Sequence, residues 1–199
     1  MSFEKSIGAI LHHEGGYCNH KEDAGGETYK GIARRSWPNW QGWETIDSAK
    51  TQLNPGSTRK SWATFTEFIE TNYPHIQAAV EAFYRVTFWE TMKCDYFSDA
   101  VGHLLFDFSV NSGNSRATKH LQKALLALGA KIEVDGKLGE QTINETGMYE
   151  PAIILNYLGK TIYLASAQQP LVEHLSIDAL VYLCNYLMYH FLISLLICS

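Results

Sequence analysis

The sequence predicts a predominantly helical α+β fold, and three observations carry that prediction. Segments with apolar residues at helical spacing recur along most of residues 61 to 165. Strand-sized pieces are confined to one short glycine-rich stretch near the N-terminus. Of the 199 residues, 46% are hydrophobic and 19% charged, a composition that can bury a core and does not resemble disorder.

Residues 2 to 14 read as the first helix, with Phe3, Ile7, Ile10, Leu11 and Glu14 on a 3.6-residue period. Ser2 is placed to cap it and Gly15-Gly16 to stop it. Residues 17 to 36 are short, turn-rich pieces. Asp-Ala-Gly-Gly-Glu-Thr invites a tight hairpin or loop, and Thr28 to Ala33 has the make-up of one short strand. Residues 37 to 60, with Trp-Pro-Asn-Trp-Gln-Gly-Trp and Asn-Pro-Gly-Ser, are expected to form loops or short helices and no long element. A helix follows from Ser61 to about residue 71, and a clearer one over 74–92, where Pro74 suits the first turn. Further helices are expected over 98–111, 114–128 and 148–165. Between them, Asp135 to Thr142 reads as a turn leading into a helix start.

The formal charge of −5 argues against a phosphate-tracking surface, so nucleic acid is not an expected partner. The four cysteines are scattered without a CxxC pair and are expected to be free thiols. His12-His13-Glu14 and Cys18-Asn19-His20 have no familiar zinc spacing, and neither a metal nor a cofactor is expected. The N-terminus interrupts its apolar stretch with Glu4 and Lys5 and does not read as a signal peptide. The chain is therefore expected to be made in the cytoplasm. Residues 179–199 contain no Lys, Arg, Asp or Glu, long enough to span a bilayer, yet they carry Asn185 and His190. Three readings stay open for this tail: a packed or self-associating helix, membrane contact, or a poorly specified extension.

The stretch His13 to Ile32 holds the chemistry-bearing pattern. Glu14 sits at a helix end beside the apolar stripe, where partial desolvation raises a carboxylate's pKa. Asp23 lies nine residues on, in a polar loop. One acid of raised pKa and a second site that holds water are what inverting glycoside hydrolysis needs, with carboxyls about 6.5–9.5 Å apart. Thr28 is close enough in sequence to help hold that water. On pattern alone Asp23 can equally cap a turn. Glu22 and Glu27 are nearby rivals, read as solvated.

Glu14-Gly15-Gly16-Tyr17, Asp23-Ala24-Gly25-Gly26-Glu27-Thr28 and Gly31-Ile32 resemble the N-terminal signature of glycoside hydrolase family 108, whose members include phage endolysins and secretion-activator type muramidases. The likeness continues through Tyr84-Arg85, Trp89, Leu105 to Gly113, Ala117 to Gln122 and Asp135 to Thr142, and so covers roughly residues 3 to 165. It implies a lysozyme-like fold with Glu14 as the catalytic acid, and Asp23 and Thr28 positioning a water. The threonine offset differs slightly from that of phage-type lysozymes. Nothing after residue 165 matches the aromatic and basic helix on which the family usually ends.

The resemblance implies three parts: a lysozyme-like catalytic region over 1–95, a helical region over 96–165 packed on it and similar to a predicted peptidoglycan-binding region, and the atypical tail 166–199. The implied activity is an N-acetylmuramidase that cuts the β-1,4 bond of peptidoglycan glycan strands with inversion. An enzyme of this kind acts on the cell wall after release, as phage or prophage endolysins do. Alternatives are a lytic transglycosylase and a non-catalytic peptidoglycan-binding or secretion-helper protein. Tyr17, Tyr84 and Trp89 are candidates to contact sugar, although Tyr84 and Trp89 can instead fill the core. Trp37, Trp40 and Trp43 are candidates for a cleft rim, with Trp43 as the chosen substrate contact. Asp107 and Asn111, one helical turn apart, can bind an N-acetyl group or peptide stem, or tie their helix to its neighbours.

Overall fold

The structure is a computed structural model, and it describes residues 3–13, 15–20 and 26–166. The chain divides into two compact units, one of Phe3–Thr87 and one that begins at Phe88.

The first unit opens with α1 (Phe3–His13), in which Phe3, Ser6, Ile7 and Ile10 are buried, as the helical period requires. Three short strands follow, β1 (Tyr17–Asn19), β2 (Glu27–Tyr29) and β3 (Ile32–Ala33). They form one antiparallel sheet in the order β1-β2-β3. Tyr17 pairs with Tyr29, Cys18 with Thr28, and Asn19 with Glu27. Thr28 pairs with Ala33 and Tyr29 with Ile32. The expected single strand from Thr28 to Ala33 is therefore a hairpin. Its two-residue turn, Lys30-Gly31, has φ of 43° and 78°. Both central residues are left-handed, as the turn type that matches strand twist demands. Lysine is an unusual occupant of such a position, so the sequence carried only half of the signal.

The interval read as loops or short helices contains an eleven-residue helix, α2 (Gly42–Gln52). Its buried positions are Gly42, Trp43, Ile46 and Ala49, a narrow stripe among Ser, Thr and Asp residues that favour caps and turns. Tertiary packing overrides that local preference. α3 (Arg59–Asn72) starts at Thr58, whose hydroxyl accepts the Ser61 N–H while the Ser61 hydroxyl accepts the Thr58 N–H. α4 (Ile76–Tyr84) runs on into a π-helical segment, Arg85–Glu90. Phe88 and Trp89 of that segment are both buried. α3 packs on β1, and α2, α3 and α4 pack on one another. Tyr29, Ile32, Ile46, Ala49, Phe65, Ile69 and Val80 are fully enclosed in this unit.

The regular elements of the second unit's described part are all helical. A single 3-10 turn (Cys94–Tyr96) precedes α5 (Asp99–Ser112), α6 (Asn114–Ala127), α7 (Glu140–Gly147) and α8 (Pro151–Ser166). α5, α6 and α8 pack together, with Leu105, Phe106, Ala117, Leu121, Ala124, Leu125, Ile154 and Leu158 fully buried between them. The turn at Asp135 does not cap α7, whose start at Gly139 has no side-chain cap. It is tied instead to α6. The buried Gln122 amide donates to Asp135 Oδ1 at 2.8 Å, and its carbonyl oxygen accepts the Gly136 N–H at 2.8 Å. The Lys137 N–H also donates to Asp135 Oδ1, and this backbone donor does most to hold the carboxyl below its usual range.

Among the described residues no helix is long and apolar enough to cross a membrane. The tail from residue 167 lies outside them, and with it the readings offered for 179–199.

Candidate active site

The short sheet sorts its side chains by strand alternation and cross-strand register. Tyr17, Asn19, Glu27, Tyr29 and Ile32 share one face. Cys18, Thr28 and Ala33 share the other, and all three are half-buried. Thr28 thus stands on the open face of the central strand, opposite Cys18, with its hydroxyl donating to the Gly26 carbonyl at 3.3 Å. Glu14 and Asp23 lie outside the described residues. The described chain brackets them: α1 ends at His13, one residue before Glu14, and β1 and β2 are the stems of the connection that contains Asp23.

What holds these stems is clear. The Tyr17 N–H donates to Thr66 Oγ1 on α3 at 2.8 Å, and the Lys30 N–H donates to the Gly16 carbonyl at 3.1 Å. A Cβ on Gly16 would lie 2.2 Å from Thr66 Oγ1, whereas one on Gly15 would meet no described residue within 4 Å. Gly16 does not have a positive φ. The second glycine is therefore needed for close approach to α3, not for a left-handed helix stop. At the other hairpin, Lys30 Nζ pairs with Glu70 at 2.7 Å and donates to Gln77 Oε1 at 2.9 Å.

The closed face holds an ion cluster that the sequence reading missed. Glu27, expected to be solvated, has a side chain only 10% exposed. Its carboxylate accepts the Tyr17 hydroxyl at 2.9 Å and the Arg34 guanidinium at 2.8 Å, and pairs with Lys50. Arg34 and Lys50 both also pair with Asp47. The Arg34 hydrogen bond is the main reason that the Asp47 carboxyl stands below its usual range. Burial, and then the carboxylate of Glu27, push the Tyr17 phenol above its usual range, so Tyr17 remains a donor. The only sequence trace of the cluster is the Asp47–Lys50 spacing on one helix face.

The aromatic candidates for sugar contact are mostly core residues. Tyr17, Trp43, Tyr84 and Trp89 are each only 2–3% exposed. Such side chains present no open ring face on which a sugar can stack. The Tyr84 hydroxyl donates to the Lys30 carbonyl at 2.8 Å and so anchors the hairpin turn. The Trp43 indole donates to the Trp37 carbonyl at 2.7 Å, and its ring lies 4.7 Å beneath the Arg34 guanidinium. Trp89 packs edge-on against Phe106. Of the three tryptophans expected at a rim, Trp37 keeps the most exposure, at 40%, and Trp40 is half-buried. In the second unit Asp107 and Asn111 are half-buried on α5, and the Asn111 amide donates to the Asp107 backbone carbonyl at 2.8 Å. Asn111 is thereby engaged by its own helix.

Among the described residues, neither Cys18 nor Cys94 is in a disulfide. Among the described residues no group of three or more His, Cys, Asp or Glu side chains is placed to hold a metal ion.

No curated protein sequence matches the chain. Among solved structures, it is similar in fold to Brucella abortus SagA, with a TM-score of 0.58 at 21% identity, over 98% of this chain and 93% of that one. That likeness agrees with a lysozyme-like α+β fold, mostly helical with one small sheet. Residues 7–113, more than half of the chain and inclusive of both hairpins, match the family model described as glycosyl hydrolase 108, and the chain belongs to that glycoside hydrolase family.

Proposed function

We propose that this chain is a peptidoglycan N-acetylmuramidase that cleaves the β-1,4 bond between N-acetylmuramic acid and N-acetylglucosamine with inversion. The observation that carries the reading is the family match over 7–113, which includes Glu14, Asp23 and Thr28. Glu14 protonates the bridging oxygen as the bond breaks. Asp23 and Thr28 hold a water on the opposite face of the sugar, and that water attacks the anomeric carbon. The position of Thr28 on the half-buried face of β2, opposite in direction to the enclosed Tyr29, suits this role. Glu27 is a poor alternative acid, because Tyr17, Arg34 and Lys50 already occupy its oxygens on the closed face. The exposed Trp37 is the better of the tryptophans for a sugar contact. The substrate is the glycan strand of the cell wall, reached after release from the cytoplasm.

The test is turnover of purified peptidoglycan with mass and anomeric analysis of the products. Wild type is expected to yield hydrated ends of inverted configuration, with Glu14→Gln and Asp23→Asn each slower by about 100-fold or more. Products one water lighter would identify a transglycosylase. Undiminished degradation by Glu14→Gln would remove Glu14 from the mechanism.

A further inference from the structure

We propose that Glu27 is a positioning residue, acting through Thr28 by clamping the β1–β2 hairpin to α2. The proposal rests on the reading of Thr28 as a water-holding residue. Strands of three, three and two residues are too short to define their own place, so tertiary anchors must set where β2 lies. Glu27 immediately precedes Thr28, and strand alternation sends the two side chains to opposite faces. Whatever fixes the Glu27 side chain against α2 therefore fixes the depth and tilt at which Thr28 stands on the open face.

Three different elements hold Glu27. The Tyr17 hydroxyl reaches it from β1, the Arg34 guanidinium from just after β3, and Lys50 from α2. The Arg34 N–H also donates to the Glu27 backbone carbonyl at 2.8 Å, which ties main chain and side chain to one partner. Asp47 completes the cluster by pairing with both cations, so two carboxylates meet two cations. Hydrogen-bonded ion networks of this kind define one geometry more sharply than apolar contacts do. The clamp also sets the β2 stem of the connection that contains Asp23.

The experiment is a double-mutant cycle on soluble glycan strands released from peptidoglycan, with Glu27→Gln, Thr28→Ala and the pair. Glu27→Gln keeps the shape and removes the charge. It is expected to lower kcat by about 10-fold with KM changed less than about 2-fold, as loss of an interaction acting on the reaction step would. Paired with Thr28→Ala, it is expected to add less than about 2-fold, because two changes that act through one group are not additive. A wild-type rate for Glu27→Gln, or losses that multiply in the pair, would overturn the positioning role while leaving the hydrolase reading intact. Absence of turnover by wild type itself would sink both. Should Glu27→Gln not fold, Asp47→Asn decides the question, since Asp47 is half-exposed and holds the same two cations. Its kcat loss, about 3-fold, must likewise vanish in the Thr28→Ala background.

Discussion

Substitution of Gly16 by alanine tests how the chain leaves α1 and enters the sheet. The added methyl would lie 2.2 Å from Thr66 Oγ1, 2.4 Å from its Cγ2 and 2.8 Å from its Cβ. Thr66 cannot simply rotate away. Its hydroxyl accepts the Tyr17 N–H at 2.8 Å and donates to the Trp62 carbonyl at 2.8 Å. Forcing a methyl into a packed site costs about 1–3 kcal/mol, and leaving a buried N–H without its acceptor costs a similar amount. When β1 and Thr66 share the adjustment, the expected loss is about 2–4 kcal/mol. In a chain of this size that is a fall in Tm of about 5–15 °C. The companion substitution Gly15→Ala meets no described residue within 4 Å and is expected to fall within about 0.5 kcal/mol of wild type. Thermal unfolding followed by circular dichroism compares the two. Thr66→Ala removes the two closest contacts, so the double variant Gly16→Ala/Thr66→Ala should be more stable than the summed single losses predict. Equal stability of Gly15→Ala and Gly16→Ala would refute the close-approach account of the second glycine.

Tyr84→Phe removes the hydroxyl that holds the Lys30 carbonyl, and should cost about 1 kcal/mol in denaturant unfolding while KM for glycan stays at the wild-type value; a KM raised tenfold would return Tyr84 to the substrate site. Cys18 stands opposite Thr28 on the half-buried face, so iodoacetamide is expected to abolish hydrolysis by wild type and spare Cys18→Ser. Cys94 is not a competing target, since burial pushes its thiol up to about 12. Full activity of alkylated wild type would place the substrate elsewhere. Burial holds the His120 imidazole below its usual value of 6.5, with Lys123 and Arg116 adding to the effect. A depressed value means the contribution to stability is complete above pH 6.5 and is lost as pH falls below it. Tm should therefore decline between pH 7 and 5, and decline less in His120→Gln; identical slopes would rule His120 out as the cause.

The helices were largely legible because their signal is local. The apolar period of Phe3, Ile7 and Ile10 placed α1, and similar stripes placed α3, α5, α6 and α8 within a few residues of their observed limits. Glu14, Asp23 and Thr28 were named by a motif, and a motif needs no coordinates. α2, in an interval read as loops or short helices, was not placed because its turn-favouring residues outvote a stripe of three apolar side chains. The hairpin at Lys30-Gly31 escaped because strands of three and two residues offer too few alternations to count.

The sequence by itself determined the helical class, the family signature and the order of the chemistry-bearing residues. Only the tertiary structure decided which side chains face the open side of the sheet and which are enclosed. Tyr17, Trp43, Tyr84 and Trp89 have the make-up of sugar platforms, and their burial depends on elements far along the chain. The partners of Glu27 come from before it, just after it and the next helix, and no local pattern records such a meeting. Period and motif report what each segment prefers, whereas burial and ion pairing are properties of the neighbours that folding brings to it.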